Sequence, residues 1–186
     1  MIAVSSFRPF RDSPEAARNQ ARAFASWLPV FDHVFYLNAP EPALASPQTT
    51  FVPGPNPPPI HLLAQLCAIG REPACIINAD IVLQPKARRV LRGTLAKFDA
   101  ASSFRLEYTG DMRNAKRVDN GLDLFVAWPA VWRKCWPVMP RDFRIGKPVW
   151  DCWLHAWLRD ECRLGYTDLS GHKFVFHPRH SRKAPA

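Results

Sequence analysis

An amide and an acid two residues apart, in Asn78-Ala79-Asp80-Ile81, close the wholly apolar run Ala74-Cys75-Ile76-Ile77. A carboxylate and an amide oxygen at that spacing can meet a hard divalent cation, directly or through water, while a bound diphosphate supplies further oxygens. The same spacing also serves as turn chemistry, with Asp80 capping a strand-to-helix loop. On these residues alone both roles stand. A second acid, Asp151, sits in Phe143-Arg144-Ile145-Gly146-Lys147-Pro148-Val149-Trp150-Asp151-Cys152-Trp153-Leu154, where a Gly/Pro turn runs into a Trp-rich segment. An acid in a first helical turn complements the helix dipole, yet Asp151 lies off the apolar stripe and can equally be a catalytic carboxylate. Trp150 and Trp153 beside it are core residues or an aromatic platform for a sugar. A third group, His172, His177 and His180, lies near the C-terminus. A neutral imidazole can complete a metal site begun by carboxylates elsewhere, whereas His in a basic surface segment is ordinarily solvated.

Regular elements must carry these groups. Residues 2–7 read as a short buried strand, and Ser13-Pro14-Glu15 supplies an N-cap, a first-turn Pro and an early acid for a helix to about 27. Residues 31–37 and 50–52 are β-rich, and the stretch 53–59, with five Pro residues among its seven, is a rigid loop, because Pro lacks an amide donor and constrains its predecessor. A helix over about 59–69 ends at Gly70, and 74–78, apolar throughout, reads as a central parallel strand covered on both faces. Gln84-Pro85 opens a helix to about 98, and 101–108 and 122–128 are strands separated by a polar loop, 109–121, a candidate active-site flap. Positions 150, 153, 154, 157 and 158 trace one apolar face of a helix over 150–162, and 173–176 is the last strand. This alternation predicts an α/β fold: one domain over 1–178 with a mixed, mainly parallel central sheet flanked by helices, and a basic tail at 179–186. Open sheets of this kind bind ligands at the carboxyl ends of their strands, where Asp80 falls.

Composition narrows the partners. A chain of 186 residues suits one well-packed core, and a 47% hydrophobic content with seven Trp and twelve Phe excludes a disordered chain. The formal charge of +9 predicts a surface that attracts anions, whether nucleotides, phosphorylated sugars, nucleic acid or acidic lipid. Five cysteines, an odd number without a CxxC pair, lie mostly in apolar stretches and suit a reducing compartment. The opening residues lack a basic and then long apolar leader, and no apolar run approaches membrane-spanning length, so a cytoplasmic protein without a helical anchor is expected.

Several motifs together carry a family resemblance. Asn78-Ala79-Asp80-Ile81, followed by Val82 and Leu83, matches the N-(S/A)-D-I metal motif that ends a central strand in a subfamily of GT-A glycosyltransferases. Residues 143–154 follow that group's F-x-I-G-(R/K)-P-x-W-D-x-W-L segment nearly position for position. Asn19-Gln20 and Ser26-Trp27-Leu28 resemble its N-Q and S-W, Gly121-Leu122-Asp123-Leu124-Phe125-Val126 its G-x-D-x-F-V strand, and His177-x-x-His180 its H-Q-x-H, with Pro178-Arg179 in place of the usual polar pair. The chain thus resembles the GT-A type, the nucleotide-diphospho-sugar transferases, over most of its length. The resemblance implies a single GT-A-like (Rossmann-like) domain. It makes Asp80 the metal and diphosphate carboxylate supported by Asn78, with His177 and His180 as further metal ligands and Mn2+ or Mg2+ as cofactor. Ser5, Ser6 and Arg8 would line the nucleotide site, and Gly146, Trp150 and Asp123 the acceptor side. Asp151 would be the general base in an inverting enzyme, or position the acceptor in a retaining one. The implied partners are a nucleotide-diphosphate sugar and an acceptor that is a glycan, a small molecule or a nucleic acid. Two other classes compete. A nucleotidyltransferase would ordinarily show a Gly-rich phosphate loop, and Ser5-Ser6-Phe7-Arg8-Pro9 has no glycine. A basic nucleic-acid-binding protein would use the charge and the aromatics, and a glycosyltransferase acting on modified DNA bases would combine the two ideas.

Overall fold

The computed structural model describes residues 1–162 and 165–179, and of 119 and 120 the backbone only. His180 and the tail beyond Arg179 therefore lie outside the described residues. In chain order the elements are β1 (Ile2–Ser5), α1 (Pro14–Trp27), β2 (His33–Tyr36), β3 (Thr49–Phe51), α2 (Ile60–Ile69), β4 (Ala74–Ile77) and β5 (Val82–Leu83). They continue with α3 (Ala87–Leu95), β6 (Ala100–Tyr108), β7 (Lys116–Ala127), α4 (Pro129–Val138), α5 (Trp150–Cys162), β8 (Tyr166–Asp168) and β9 (Val175–Pro178).

All the strands join one nine-stranded sheet in the order β3-β2-β1-β4-β7-β6-β9-β5, with β8 pairing beside β6. The pairs β1–β2, β1–β4, β2–β3, β6–β8 and β6–β9 are parallel, while β4–β7, β6–β7 and β5–β9 are antiparallel. The sheet is mixed and mainly parallel, as the alternation of elements predicts. Helices cover both faces. On one, Ala23, Phe24 and Trp27 of α1 and Leu91 and Leu95 of α3 pack with Cys75 and Ile77. On the other, Leu63 and Cys67 of α2, Trp132 of α4 and Leu154 and Leu158 of α5 pack with Ala74 and Ile76. Successive side chains of β4 enter opposite cores, which is why the strand is apolar at every position. Among the described residues no helix is long and apolar enough to cross a membrane.

Local chemistry sets the boundaries that matter. The Ser13 side chain accepts from the Ala16 amide at 3.2 Å and Pro14 opens α1, as the sequence signals. Buried indoles then tie helices to the sheet: Trp27 donates to the Ile81 carbonyl at 2.7 Å and Trp132 to the Ala74 carbonyl at 3.1 Å. Ser26 accepts from the Leu83 amide at 2.9 Å. The Ser26-Trp27 pair thus grips the chain on the far side of Asp80.

Four expectations change. Residues 116–121 of the expected flap are strand: Glu107 pairs with Lys116 and Leu106 with Arg117 across a hairpin, leaving only 109–115 outside β6 and β7. Main-chain pairing outweighs the polar composition because an exposed hairpin arm needs no apolar face. The helix α4 replaces an unassigned stretch, opened by Pro129 and anchored by fully buried Trp132. After Gln84-Pro85 the helix begins only at Ala87, because Val82–Leu83 forms an edge strand against β9. The last strand runs over Val175–Pro178 rather than 173–176, so His177 sits within the sheet.

Candidate functional site

A cavity of about 670 Å³ opens where β1 and β4 end. One wall is the loop Ser6-Phe7-Arg8-Pro9 with Asp12 and Gln20, and the floor is Asn78-Ala79-Asp80 with Arg105 of β6, Asp123 of β7 and His177 of β9. Another part of the lining is Ile145-Gly146-Lys147 with Asn56-Pro57. That part is braced by main-chain bonds, Ile60 amide to Phe143 carbonyl at 3.0 Å and Ile145 amide to Pro58 carbonyl at 3.3 Å. The Pro-rich loop therefore serves as a rigid backing strip.

The floor is a chain of charged contacts. His177 Nε2 lies 3.2 Å from Asp80 Oδ2, and its Nδ1 lies 4.0 Å from Glu107 Oε1. Arg105 donates to Glu107 and, at 2.8 Å, to Asp123, whose other carboxylate oxygen accepts from the Asn78 side-chain amide. Burial pushes the Asp123 carboxyl above the usual carboxylate range, and the Arg105 guanidinium pulls against that rise. Burial also opposes the charge on Arg105, but the carboxylates of Asp123 and Glu107 outweigh it and hold the guanidinium above its ordinary value. Gly121 makes this possible. A Cβ there would come within 2.7 Å of the Arg105 guanidinium, so the glycine of Gly121-Leu122-Asp123 is the gap through which Arg105 reaches the acid.

The wall at Phe7 and Arg8 is held by two side-chain amides. Asn38 accepts from the Phe7 amide at 2.8 Å and donates to its carbonyl at 3.1 Å. Gln20 does the same for Arg8, at 2.7 and 2.9 Å.

A 4-diphosphocytidyl-2C-methyl-D-erythritol synthase from Anaerococcus prevotii superposes on this chain with a TM-score of 0.55 at 8% identity, covering 100% of this chain and 91% of that one. The likeness is one of fold, a single GT-A-like α/β domain with a mixed, mainly parallel sheet. A glycosyltransferase involved in glycosylation of the major capsid of PBCV-1 gives a TM-score of 0.49 at 10% identity, covering 95% of this chain and 92% of that chain. No protein-family model matches the sequence, and no curated protein matches it.

In this fold Ser6, Arg8, Asn78, Asp80, Asp123, Gly146 and His177 come together around one cavity. Three other expected residues do not line it. Ser5 is fully buried and its hydroxyl donates to the Ile77 carbonyl at 2.6 Å, so it braces β1 against β4 and is not a nucleotide contact. Trp150 is 3% exposed and packs on Phe125 with ring centroids 5.5 Å apart, which makes it core and not an acceptor platform. Asp151 is half-buried in the first turn of α5, outside the cavity lining. Two left-handed residues, Gly146 at φ 74° and Val149 at φ 85°, turn the chain between the wall and the helix. The glycine adopts that conformation freely, whereas for a β-branched valine it is a strained outlier. His180 lies outside the described residues.

Sequence reasoning missed Arg105, Glu107, Gln20 and Lys147 as site residues. Arg105 and Glu107 are two apart on a strand and so share a face, a signal present in Ser103-Phe104-Arg105-Leu106-Glu107 once the strand is assigned. For a divalent cation, Asp80 and His177 offer an oxygen and a nitrogen donor side by side, and Asn78 Oδ1 is buried without a hydrogen-bond partner among the described residues. No group of three or more His, Cys, Asp or Glu is arranged around a common metal position among the described residues. A cation held by this pair would have to take its remaining ligands from water and phosphate oxygens, as Mg2+ does in phosphate-binding sites.

Proposed function

We propose that the chain is a glycosyltransferase that takes a nucleoside-diphosphate sugar into the cavity and passes the sugar to an acceptor hydroxyl. The observation that carries this reading is the meeting, at the carboxyl ends of β1 and β4, of the Asp80–His177 pair with Arg8 and Lys147 around one cavity. Neither Arg8 nor Lys147 makes an ion pair among the described residues, so both cations are available to a diphosphate. A volume of about 670 Å³ suits a ligand of that size.

Arg8 and Lys147 would bind and orient the diphosphate, and as the anomeric bond lengthens they would stabilise the charge gathering on the departing phosphate. A divalent cation, Mn2+ or Mg2+, held by Asp80 and His177 with the diphosphate, would neutralise the same charge when bound. Arg105, tied to Asp123 and Glu107, would keep this part of the lining rigid. Gly146, in the lining, would border the acceptor side, and Asp151, further along the chain than the lining residues Gly146-Lys147, would take or orient the acceptor proton only if the acceptor extends out of the cavity to α5.

A nucleotidyltransferase is the second reading, prompted by the Anaerococcus prevotii protein, whose name is that of a diphosphocytidyl compound's synthase. Against it stands the loop after β1. Phe7 and Arg8 have their amide hydrogens committed to Asn38 and Gln20, and Pro9 has none, so this loop cannot wrap a triphosphate in backbone donors. The test is a thermal-shift screen of UDP-, GDP-, CMP- and dTDP-sugars with Mn2+, on the wild type and on Asp80→Ala. At least one sugar nucleotide is expected to raise the melting temperature of the wild type and not of Asp80→Ala, and Asp151→Asn is expected to keep that shift while transfer falls. Equal donor binding by wild type and Asp80→Ala overturns the assignment.

A further inference from the structure

The loop after β1 leaves the sheet as Ser6-Phe7-Arg8-Pro9 without a glycine, and its backbone would meet the core with unpaired polar groups. Two amide side chains from separate elements meet that need. Asn38, which follows β2, and Gln20, in the middle of α1, are 3% and 4% exposed. Each places its amide plane against one residue of the loop, accepting from the N–H and donating to the C=O, so that two consecutive residues are paired as they would be by a neighbouring strand. Single capping bonds would satisfy the amides, but they would leave both carbonyls and the residue's rotation about its own axis unconstrained. A two-point clamp on each of two residues in succession determines the direction in which the Arg8 side chain leaves the backbone.

What the clamp presents is specific. Phe7 turns inward, 5% exposed and edge-on to Tyr36 at 5.2 Å, while Arg8 is exposed and lines the cavity. Gln20 lines the same cavity with the edge of its side chain. From this arrangement we infer that Gln20 and Asn38 are positioning residues for donor binding, acting through Arg8: they aim its guanidinium at the diphosphate before the ligand arrives. The inference rests on the proposed function and adds to it the residues that make its phosphate cation pre-organised. A guanidinium bonds phosphate best in a fixed fork geometry, so an aimed Arg8 binds without first giving up the freedom of its backbone. The clamp also explains why donor recognition on this wall falls to side chains, since the two amides that could have served are already taken.

The experiment is a double-mutant cycle on the intact chain. Binding of UDP, GDP, CDP, ADP and dTDP, each with MnCl2, is measured by calorimetry for wild type, Gln20→Met, Arg8→Ala and the double variant, using whichever diphosphate binds the wild type most tightly. Gln20→Met removes both clamp bonds on Arg8 at nearly constant volume, and is expected to weaken binding about tenfold in the wild-type background and less than about twofold when Arg8 is already alanine. Should the methionine variant fail to fold, Gln20→Asn serves in its place, keeping a neutral amide but, one methylene shorter, drawing it away from the Arg8 backbone, with a loss that must again vanish in the Arg8→Ala background. A residue that merely supports the fold would weaken binding by the same factor in both backgrounds, and that result overturns the inference while leaving the proposed function intact. Failure of the wild type to bind any of the five diphosphates removes the proposed function itself, and the inference with it.

Discussion

The two halves of the sheet solve different problems. On one side, β3, β2, β1 and β4 run parallel, and β1 and β4 are apolar along almost their whole length and buried between helices. On the other, β7, β6, β9 and β5 mix directions, and β6 and β7 carry Arg105, Glu107 and Asp123 inside the molecule. The parallel half contributes loops at its strand ends, and with them Arg8 and Asp80. The mixed half contributes side chains from within strands, His177 among them. A strand end lets a loop vary without cost to the core, whereas a charge in mid-strand needs a partner wherever it is buried. The cavity lies at the seam, so Arg8 and Asp80 reach it from loops, and Arg105, Asp123 and His177 from within strands.

The sharpest way to break this contrast is to unbalance the charged half. Arg105→Met leaves Asp123 buried, at 3% side-chain exposure, without its cation, and is expected to cost about 3–5 kcal/mol in urea unfolding. Arg105→Met combined with Asp123→Leu should recover most of that loss, because no charge then remains buried. If the single variant unfolds at the wild-type midpoint, the ion network contributes nothing and the contrast between the halves fails.

A smaller effect is expected where the parallel half holds the Asp80 turn. Trp27→Phe removes the donor to the Ile81 carbonyl and part of a fully buried ring, for about 2 kcal/mol of stability. The same variant should loosen Asp80, seen as weaker donor binding than an equally destabilising change remote from the cavity would produce. Unchanged affinity would show that the turn is held by its own residues alone.

The mildest test is titration. His155 of α5 meets the hydroxyls of Ser102 at 3.1 Å and Tyr166 at 2.8 Å, and burial first, then Arg159, pushes its pKa below the ordinary histidine value. Asp168 and Asp160 act in the opposite direction. A histidine whose folded pKa is lowered favours the neutral ring in the native state. The unfolded chain therefore binds more protons, and stability is complete above the ordinary value near 6.5 and lost as pH falls from there toward the folded value. Stability measured from pH 7.5 to 5 should decline, and His155→Gln should flatten part of that slope. An identical slope in the variant would assign the decline to other groups.

How much of this was legible depends on the range of the interactions. The helix α1 was readable because its signals are local: Ser13 caps, Pro14 starts, and the buried face follows within a few turns. The helix α5 matched its expected span for the same reason, an apolar stripe over consecutive turns. The helix α4 escaped because Pro137 lies inside it and its apolar face is short, Val131, Trp132 and Cys135, so its packing on α2 rather than its own pattern holds it. The outer half of β7 escaped because its polar residues suit a loop equally well, and only the pairing with β6 decides between them.

For the site the division is similar. Amino-acid types alone singled out Asp80 at the end of an apolar strand, and chemistry and strand geometry suffice for that: a buried strand must end, and an acid at its end faces solvent. The sequence also carried the basic excess that makes an anionic ligand plausible. Only the tertiary structure brought His177 to within 3.2 Å of Asp80, withdrew Ser5 and Trp150 into the core, and placed Asp151 outside the cavity lining. Those outcomes depend on register between strands distant in sequence and on which face of a strand or helix meets the core. A register shift of one residue would turn His177 to the other side of the sheet, and no local pattern in the chain records that choice.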